Sequence, residues 1–268
     1  MRPRGYLRTD APIGFPFSSH VTNSPAPPPL PPGLANYPGP HRLLKAGLGY
    51  LQADVWATTR PDGQPAVWKS WWRRPLPERV ILCRWLAGRE HRVLCRLDGL
   101  PEVPRALNRP DPFTIEMTLL DAEPVAEVKR GGALPPEYFT RLWALLAEMH
   151  RRGVNHGDLR RKNLLRAPED PASPRMVDFT QCLCVALPPR GIGGLLLRQA
   201  VRVDRAHFLK LKKWYLGPEH MTPEELSEME RTPWHLSLGR FFRRGLYRPL
   251  KHWRRGRRRS GPPRRHSG

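Results

Sequence analysis

The stretch NHGDLRRKNLL, residues 155–165, constrains what this chain can fold into more than any other part of it. It sets Asp158 and Asn163 five residues apart in the pattern H-x-D-x-x-x-x-N. Fifteen residues beyond Asn163, the apolar run RMVDF delivers a second carboxylate, Asp178. A carboxylate at the end of a buried strand is costly unless it is paired or binds a metal.

Phosphoryl transfer calls for parts of this kind. It needs a positioned nucleophile, a carboxylate to accept its proton, and cations on the phosphates. In such a loop Asp158 would face the attacking hydroxyl, and the Asn163 side-chain oxygen would turn to a magnesium ion. Asp178 would bridge magnesium to the phosphates. A lysine on a strand should hold the nucleotide phosphates, and a helical glutamate should hold that lysine. Lys69 in AVWKSW and Glu90 in GREHRVL, twenty-one residues apart, stand in that order upstream.

The patterning puts these residues on suitable elements. HRLLKAGLGYLQADVWATTRPDGQPAVWKSWW reads as three strands, with a hairpin turn at Pro61-Asp62-Gly63. PERVILCRWLAGREHRVLCRLDGL has helical spacing, with Gly88 as a candidate break. FTIEMTLL reads as a strand and DAEPVAEVKRGG as a connector. LPPEYFTRLWALLAEMHRRG is a helix opened by Pro135-Pro136 and ended by Gly153. RMVDFTQCLCVAL reads as a strand that would place Cys182 and Cys184 on one face. Residues 195–215 and 223–229 read as helices. The class is α+β in two lobes, a β-rich N-lobe with one main helix and a short, mainly helical C-lobe.

The set VWK, E, HGDLRRKN and VDF resembles the protein-kinase-like superfamily, over about residues 43–215. HGD in place of HRD looks like its atypical and small-molecule kinases. HGDLRRKNLL with GREHRVLCRLDGLPEVPR is most similar to the bacterial lipopolysaccharide core kinases, the Kdo/heptose family. It is less similar to the RIO kinases and to the small kinase of the tRNA threonylcarbamoylation complex. The segment RAHFLKLKKWYL followed by MTPEE looks like the lipopolysaccharide kinases' C-terminal region. The resemblance implies a bilobal kinase-like fold with ATP and Mg2+ as cofactors. It implies Asp158 as catalytic base, Asn163 and Asp178 as magnesium ligands, and Lys69 on the phosphates paired with Glu90. Arg160 would neutralise the transferred phosphoryl group. Gly47 and Gly49 would belong to the phosphate-binding loop, and the adenine would meet the backbone near Thr118 to Leu120.

The chain also departs from that pattern. Gln52 stands where the Gly-rich loop usually has a third glycine, which weakens a grip by backbone amides. Thr180 follows VDF in place of glycine, and Gly157 replaces the arginine that usually receives an activation-loop phosphate. An APE segment is missing. These changes argue against a kinase switched by phosphorylation and remove no group needed for transfer. The main expectation is a phosphotransferase acting on a hydroxyl of a lipid-linked sugar. The alternatives are a RIO-like atypical Ser/Thr protein kinase, and an ATP-binding pseudokinase or membrane-associated scaffold.

Both ends depart from ordinary composition. Residues 1–40, with the run SPAPPPLPPGL, lack apolar periodicity and read as a disordered proline-rich leader. A ligand for a proline-binding domain is the sharper reading of the same segment. The divisions expected after it are an N-lobe over 41–118, a C-lobe over 119–238 and a basic tail over 239–268. From Arg240 onward the tail has twelve Arg or Lys and no Asp or Glu, about half of the formal net charge of +22. Its interleaved aromatic residues suit an anionic membrane surface, and a solvated basic tail is the plainer reading. Nucleic acid is disfavoured as a partner, because no nucleic-acid fold signature accompanies the charge. The sequence has no run of membrane-spanning length. The four cysteines form no CxxC pair and read as reduced thiols. The expected location is cytoplasmic, with the inner membrane face as the docking place for the tail.

Overall fold

A computed structural model describes residues 28–48, 51–128 and 134–230. The calls made on Gly49 and on the basic tail from residue 239 fall outside them.

The first half is a five-stranded antiparallel sheet. Its strands are β1 (Arg42–Lys45), β2 (Asp54–Thr59), β3 (Pro65–Ser70), β4 (Ala106–Asp111) and β5 (Thr114–Thr118), in the order β1-β2-β3-β5-β4. The turn at 61–63 joins β2 to β3 as expected, with Gly63 at φ 81°. β4, which the sequence reading missed, pairs with β5 through two register breaks. Its sequence ALNRPD is polar and contains a proline, so it carries neither alternation nor β-branched residues.

Between β3 and β4 lies the helical segment read from the sequence. It begins with a single turn, α1 (Leu76–Glu78), widens into a π-turn at Arg79–Cys83, and continues as α2 (Arg84–Arg96). Gly88 does not break it. It is buried in α2, and a Cβ there would lie 3.3 Å from the Arg109 guanidinium. The glycine admits a β4 side chain against the helix.

The second half is mainly helical. α3 (Pro136–Arg151) buries Tyr138, Phe139, Leu142, Leu145, Leu146 and Met149, a stripe at helical spacing. A small sheet of β6 (Glu123–Pro124), β7 (Leu164–Arg166) and β8 (Pro174–Met176) frames the charged loop. α4 (Gly191–Leu216) and α5 (Pro223–Glu230) complete the described fold. One apolar core runs from Ile115 and Met117 of the sheet through Val93 and Leu94 of α2 to Phe139 of α3 and Phe208 of α4. The chain is α+β, as its sequence indicates.

Two expectations fail here. RMVDFTQCLCVAL is not one long strand. β8 ends at Met176, Asp178 takes a left-handed conformation (φ 68°), and Phe179–Gln181 form a 3-10 turn. Cys182 and Cys184 therefore share no strand face. Cys182 is buried, and Cys184 only bridges to Val154. All four cysteines are free thiols.

The disordered reading of residues 1–40 also fails for its last part. Leu34 begins a 3-10 turn and is fully buried against Trp56 and Trp68 on the sheet. Tyr37 stacks edge-on over Trp68 with ring centroids 5.0 Å apart. Low local periodicity concealed this contact, because its partners are supplied by the alternate face of β2 and β3. Replacing Leu34 by alanine is expected to cost about 2–5 kcal/mol, the usual range for a fully buried leucine. Urea unfolding followed by tryptophan fluorescence would measure it, and an unchanged midpoint would refute the packing role.

Candidate active site

Strand β3 brings in Lys69 and helix α2 brings in Glu90, as their spacing indicates. The Lys69 ammonium donates to Glu90 Oε1 at 2.8 Å, to Asp178 Oδ1 at 2.8 Å and to Thr180 Oγ1 at 2.7 Å. Glu90 is 1% exposed and Lys69 8%. Glu90 Oε1 also accepts the Phe179 backbone N–H at 3.1 Å, and Glu90 Oε2 lies 2.9 Å from the Thr180 hydroxyl. Burial alone would lower the Lys69 pKa. The charges of Asp178 and Glu90, and their hydrogen bonds, instead hold it above the ordinary lysine value. Lys69 in turn holds the Asp178 carboxyl well below the usual carboxylate range, against the effect of burial.

Thr180 was read from the sequence as a lost glycine. In the structure its hydroxyl bridges three charged side chains, lying 2.8 Å from Asp178 Oδ1 as well as near Lys69 and Glu90. The segment after β8 is thereby pinned to the sheet and to α2.

The charged loop lies beside this cluster. Asn163 Nδ2 donates to the Asp158 carbonyl at 2.9 Å and reaches Asp158 Oδ2 at 3.4 Å. Arg160 Nε sits 2.5 Å from Asp158 Oδ1. The Asn163 carbonyl accepts the Val177 N–H at 3.0 Å, one residue before Asp178. A backbone bond thus ties the loop to the VDFT segment. His156 reaches the Val177 carbonyl at 3.3 Å and packs on the Phe179 ring at 5.2 Å. Gly157, at φ 73°, has no room for a side chain, since a Cβ there would lie 2.6 Å from the Gln181 carbonyl oxygen. This close approach accounts for glycine where many kinases carry arginine.

Asp204 was missed. It lies on α4, completely buried, with its carboxylate under the loop. Oδ2 accepts the His156 N–H at 2.8 Å and contacts His150 Nε2 at 3.0 Å. Oδ1 accepts the Gly157 N–H at 2.8 Å and Asn155 Nδ2 at 3.4 Å. The available signal was a lone acid in VRVDRAHF, the first after Asp178 in an otherwise basic stretch.

The other sequence candidates stand at the edges of the site. The Gly47 N–H donates to Asp54 Oδ1 at 2.7 Å, and the Gly47 carbonyl accepts from Arg73 and Arg74. Arg73 also forks onto both Asp54 oxygens, at 2.7 and 3.0 Å. A Cβ on Gly47 would lie 2.5 Å from the Gln52 carbonyl oxygen, so this glycine serves a tight chain crossing. Its amide is already committed to a carboxylate. Thr118 ends β5 opposite Ala66, and its hydroxyl and N–H bond the backbone of Arg105. Leu120 follows, half-buried, in the connector.

Among the described residues, no group of three His, Cys, Asp or Glu side chains is placed to hold a metal ion. Asn163 and Asp178 fit the weaker demand of magnesium, which is bound by one or two protein oxygens together with substrate phosphates. No helix of the described residues is long and apolar enough to cross a membrane.

No protein-family model matches the sequence, and no curated protein does. Among solved structures the chain is similar to the Rio2 kinase from Chaetomium thermophilum, at a TM-score of 0.49 and 19% identity. The match covers 80% of this chain and 72% of that one. It is also similar to that organism's Rio2 kinase in an ADP/Mg2+-phosphoaspartate complex, at a TM-score of 0.46 and 20% identity over 81% and 71% of the two chains. Within this α+β fold, the lysine–glutamate pair joins sheet to helix and the VDFT segment joins both through Asp178 and Thr180.

Removing the Asp204 carboxylate would orphan two buried N–H groups and an imidazole contact, at a cost of about 3–5 kcal/mol. Asp204→Ala should show that loss in a urea titration. Burial would raise the Asp204 pKa, but the hydrogen bonds from His150, His156 and Gly157 win and lower it. A depressed carboxylate stabilises the fold above its unfolded pKa of about 3.9, and that contribution disappears as pH falls through the lower folded value. Wild-type stability should therefore drop below about pH 4, and Asp204→Asn should show a shallower drop. Parallel pH profiles would refute the assignment.

Proposed function

We propose that this chain is an ATP- and Mg2+-dependent phosphotransferase of the protein-kinase-like type. The observation that carries the reading is Lys69 held between Glu90 and Asp178, with the Asp158–Asn163 loop bonded to Val177, the residue before Asp178. We assign the N-lobe to 41–118, the C-lobe to 119–238 and a separate basic tail to 239–268.

Each residue has a role in this reading. Lys69 binds the nucleotide phosphates, oriented by Glu90, and the backbone from Thr118 to Leu120 takes the adenine edge. Asn163 and Asp178 hold Mg2+, which supplies charge neutralisation on the phosphates. Asp158 orients the acceptor hydroxyl and accepts its proton. The acceptor oxygen then forms a bond to the γ-phosphorus, the bond from that phosphorus to the β–γ bridging oxygen breaks, and ADP leaves. Arg160, half-exposed beside Asp158, offers its guanidinium to the phosphoryl group in transit. Asp204 is a positioning residue that fixes the loop from beneath.

For the acceptor we propose a hydroxyl of a lipid-linked, anionic sugar. The likeness of HGDLRRKNLL to the lipopolysaccharide core kinases supports this choice. So does the surface that follows the VDFT segment, where Leu187, Ile192, Leu195 and Leu196 are each about half exposed or more. Arg190, Arg198 and Arg202 lie exposed among them, and the sequence has no acid between Asp178 and Asp204. An apolar face set among arginines matches an anionic amphiphile. The cytoplasmic face of a membrane is where such an acceptor and the basic tail would meet. A protein hydroxyl is the competing reading.

Magnesium-dependent ATP consumption by purified wild type and Asp158→Ala, with and without lipopolysaccharide core extract, tests these assignments. The expected result is turnover stimulated by the extract and lowered about 100-fold or more in the variant. Turnover that puts phosphate on protein alone would move the acceptor to the protein class. ATP binding with no turnover in either form would make the chain a pseudokinase.

A further inference from the structure

Two lysines share one face of the five-stranded sheet. Lys45 in β1 stands opposite Val55 in β2, and Val55 stands opposite Lys69 in β3. Residues directly opposite on neighbouring strands project to the same face. Their backbones are therefore two strand spacings apart, roughly 10 Å, a gap that two extended lysine side chains can close. Lys69 is fully engaged by Glu90, Asp178 and Thr180. Among the described residues Lys45 makes no hydrogen bond or ion pair, and it is exposed.

The loop after β1 needs help with phosphates. Gln52 stands where a third glycine is usual. The Gly47 amide donates to Asp54, and that carboxylate is clamped by Arg73. An amide so committed is not available to a phosphate oxygen. Among the described residues, Lys45 is thus a cation outside any ion pair, two residues from an amide already committed to a carboxylate.

A lysine on an edge strand often only keeps that edge soluble. Lys45 differs in what surrounds its ammonium. Crowding lowers its pKa although the residue as a whole is exposed, and the charges of Lys69 and Lys162 lower it further while Asp178 and Glu90 raise it. The charges that act on it are those of Asp178, Lys69, Lys162 and Glu90, in keeping with its place on the same sheet face as Lys69.

We propose that Lys45 is a phosphate ligand of this site, supplying to a nucleoside di- or triphosphate the donor that the loop at Gly47 does not. The inference rests on the phosphotransferase reading and adds to it a cation from β1. Lys69, spanning sheet and helix, is confined by its partners. Lys45 keeps the freedom to follow a phosphate chain.

Calorimetric titration of the full chain with Mg2+-ADP and, separately, with adenosine tests it, using wild type, Lys45→Met and Lys45→Arg. Lys45→Met is expected to weaken ADP about tenfold, the equivalent of one charge-assisted contact. Adenosine affinity should stay within twofold, and Lys45→Arg should retain most of the ADP affinity. ADP bound equally well by wild type and Lys45→Met would overturn the proposal and leave the phosphotransferase reading intact. Equal weakening of ADP and adenosine would also overturn it, by making the role structural. Folded wild type that binds no ADP would overturn both.

Discussion

The structure depends on a buried ammonium ion. Lys69 could not remain charged inside the protein alone, and neither could Glu90. Each makes the other tolerable, and Asp178 with Thr180 completes the set. The consequence is geometric. Four groups from a strand, a helix and the segment after β8 must converge, so the electrostatic requirement fixes how these elements pack. The apolar core beneath, from Ile115 to Phe208, supplies most of the stability but would accept several arrangements of similar volume. The charges select one, because a slip of one residue along β3 would turn Lys69 to the opposite face.

Asp204 does for the loop what Glu90 does for the lysine. The side chains of the loop that carries Asp158 engage one another, Arg160 and Asn163 both turning to Asp158. The loop's backbone N–H groups at His156 and Gly157 are held from α4. The Asn163 carbonyl adds a bond to the VDFT segment. Asp158 is thus positioned by backbone contacts on both sides. Thr180 gives a similar rigidity to the segment carrying Asp178. A glycine there would allow that segment to swing, whereas a hydroxyl shared among three charges opposes it. The loss of glycine reads as the loss of a switch, and in its place stands a fixed site.

What could be read from the sequence follows from how local each signal is. Lys69 and Glu90 were legible because strand alternation and helical spacing each placed one of them. Asp158, Asn163 and Asp178 were legible by spacing alone. Asp204 was not, because its partners are backbone groups about fifty residues earlier and a lone acid in a basic helix looks solvated. β4 was concealed by its proline and polar residues, and its pairing comes entirely from β5. The stretch RMVDFTQCLCVAL has high strand propensity throughout, yet its backbone leaves the ladder after Met176 and turns at Asp178, whose carboxylate meets Lys69. Tertiary charge pairing overrode local preference there. Leu34 was concealed for a related reason, since the apolar pocket that orders it belongs to Trp56 and Trp68.

The worn glycine loop can be understood in the same terms. A glycine-rich phosphate loop works through amide N–H groups that are kept unsatisfied until the ligand arrives, which destabilises the empty protein. Here the Gly47 amide is satisfied by Asp54, and the Gly47 carbonyl by Arg73 and Arg74. The Gly47 peptide groups are thus satisfied without a ligand. Lysine side chains bear a different cost, because an exposed ammonium is well hydrated in the empty site and gives up part of that hydration on binding. Moving phosphate recognition from amides to cations therefore stabilises the empty protein and makes binding more sensitive to salt. Around the two aspartates Lys69 pairs with Asp178 and Arg160 with Asp158, and Lys45 feels the charges of Asp178, Lys69 and Lys162.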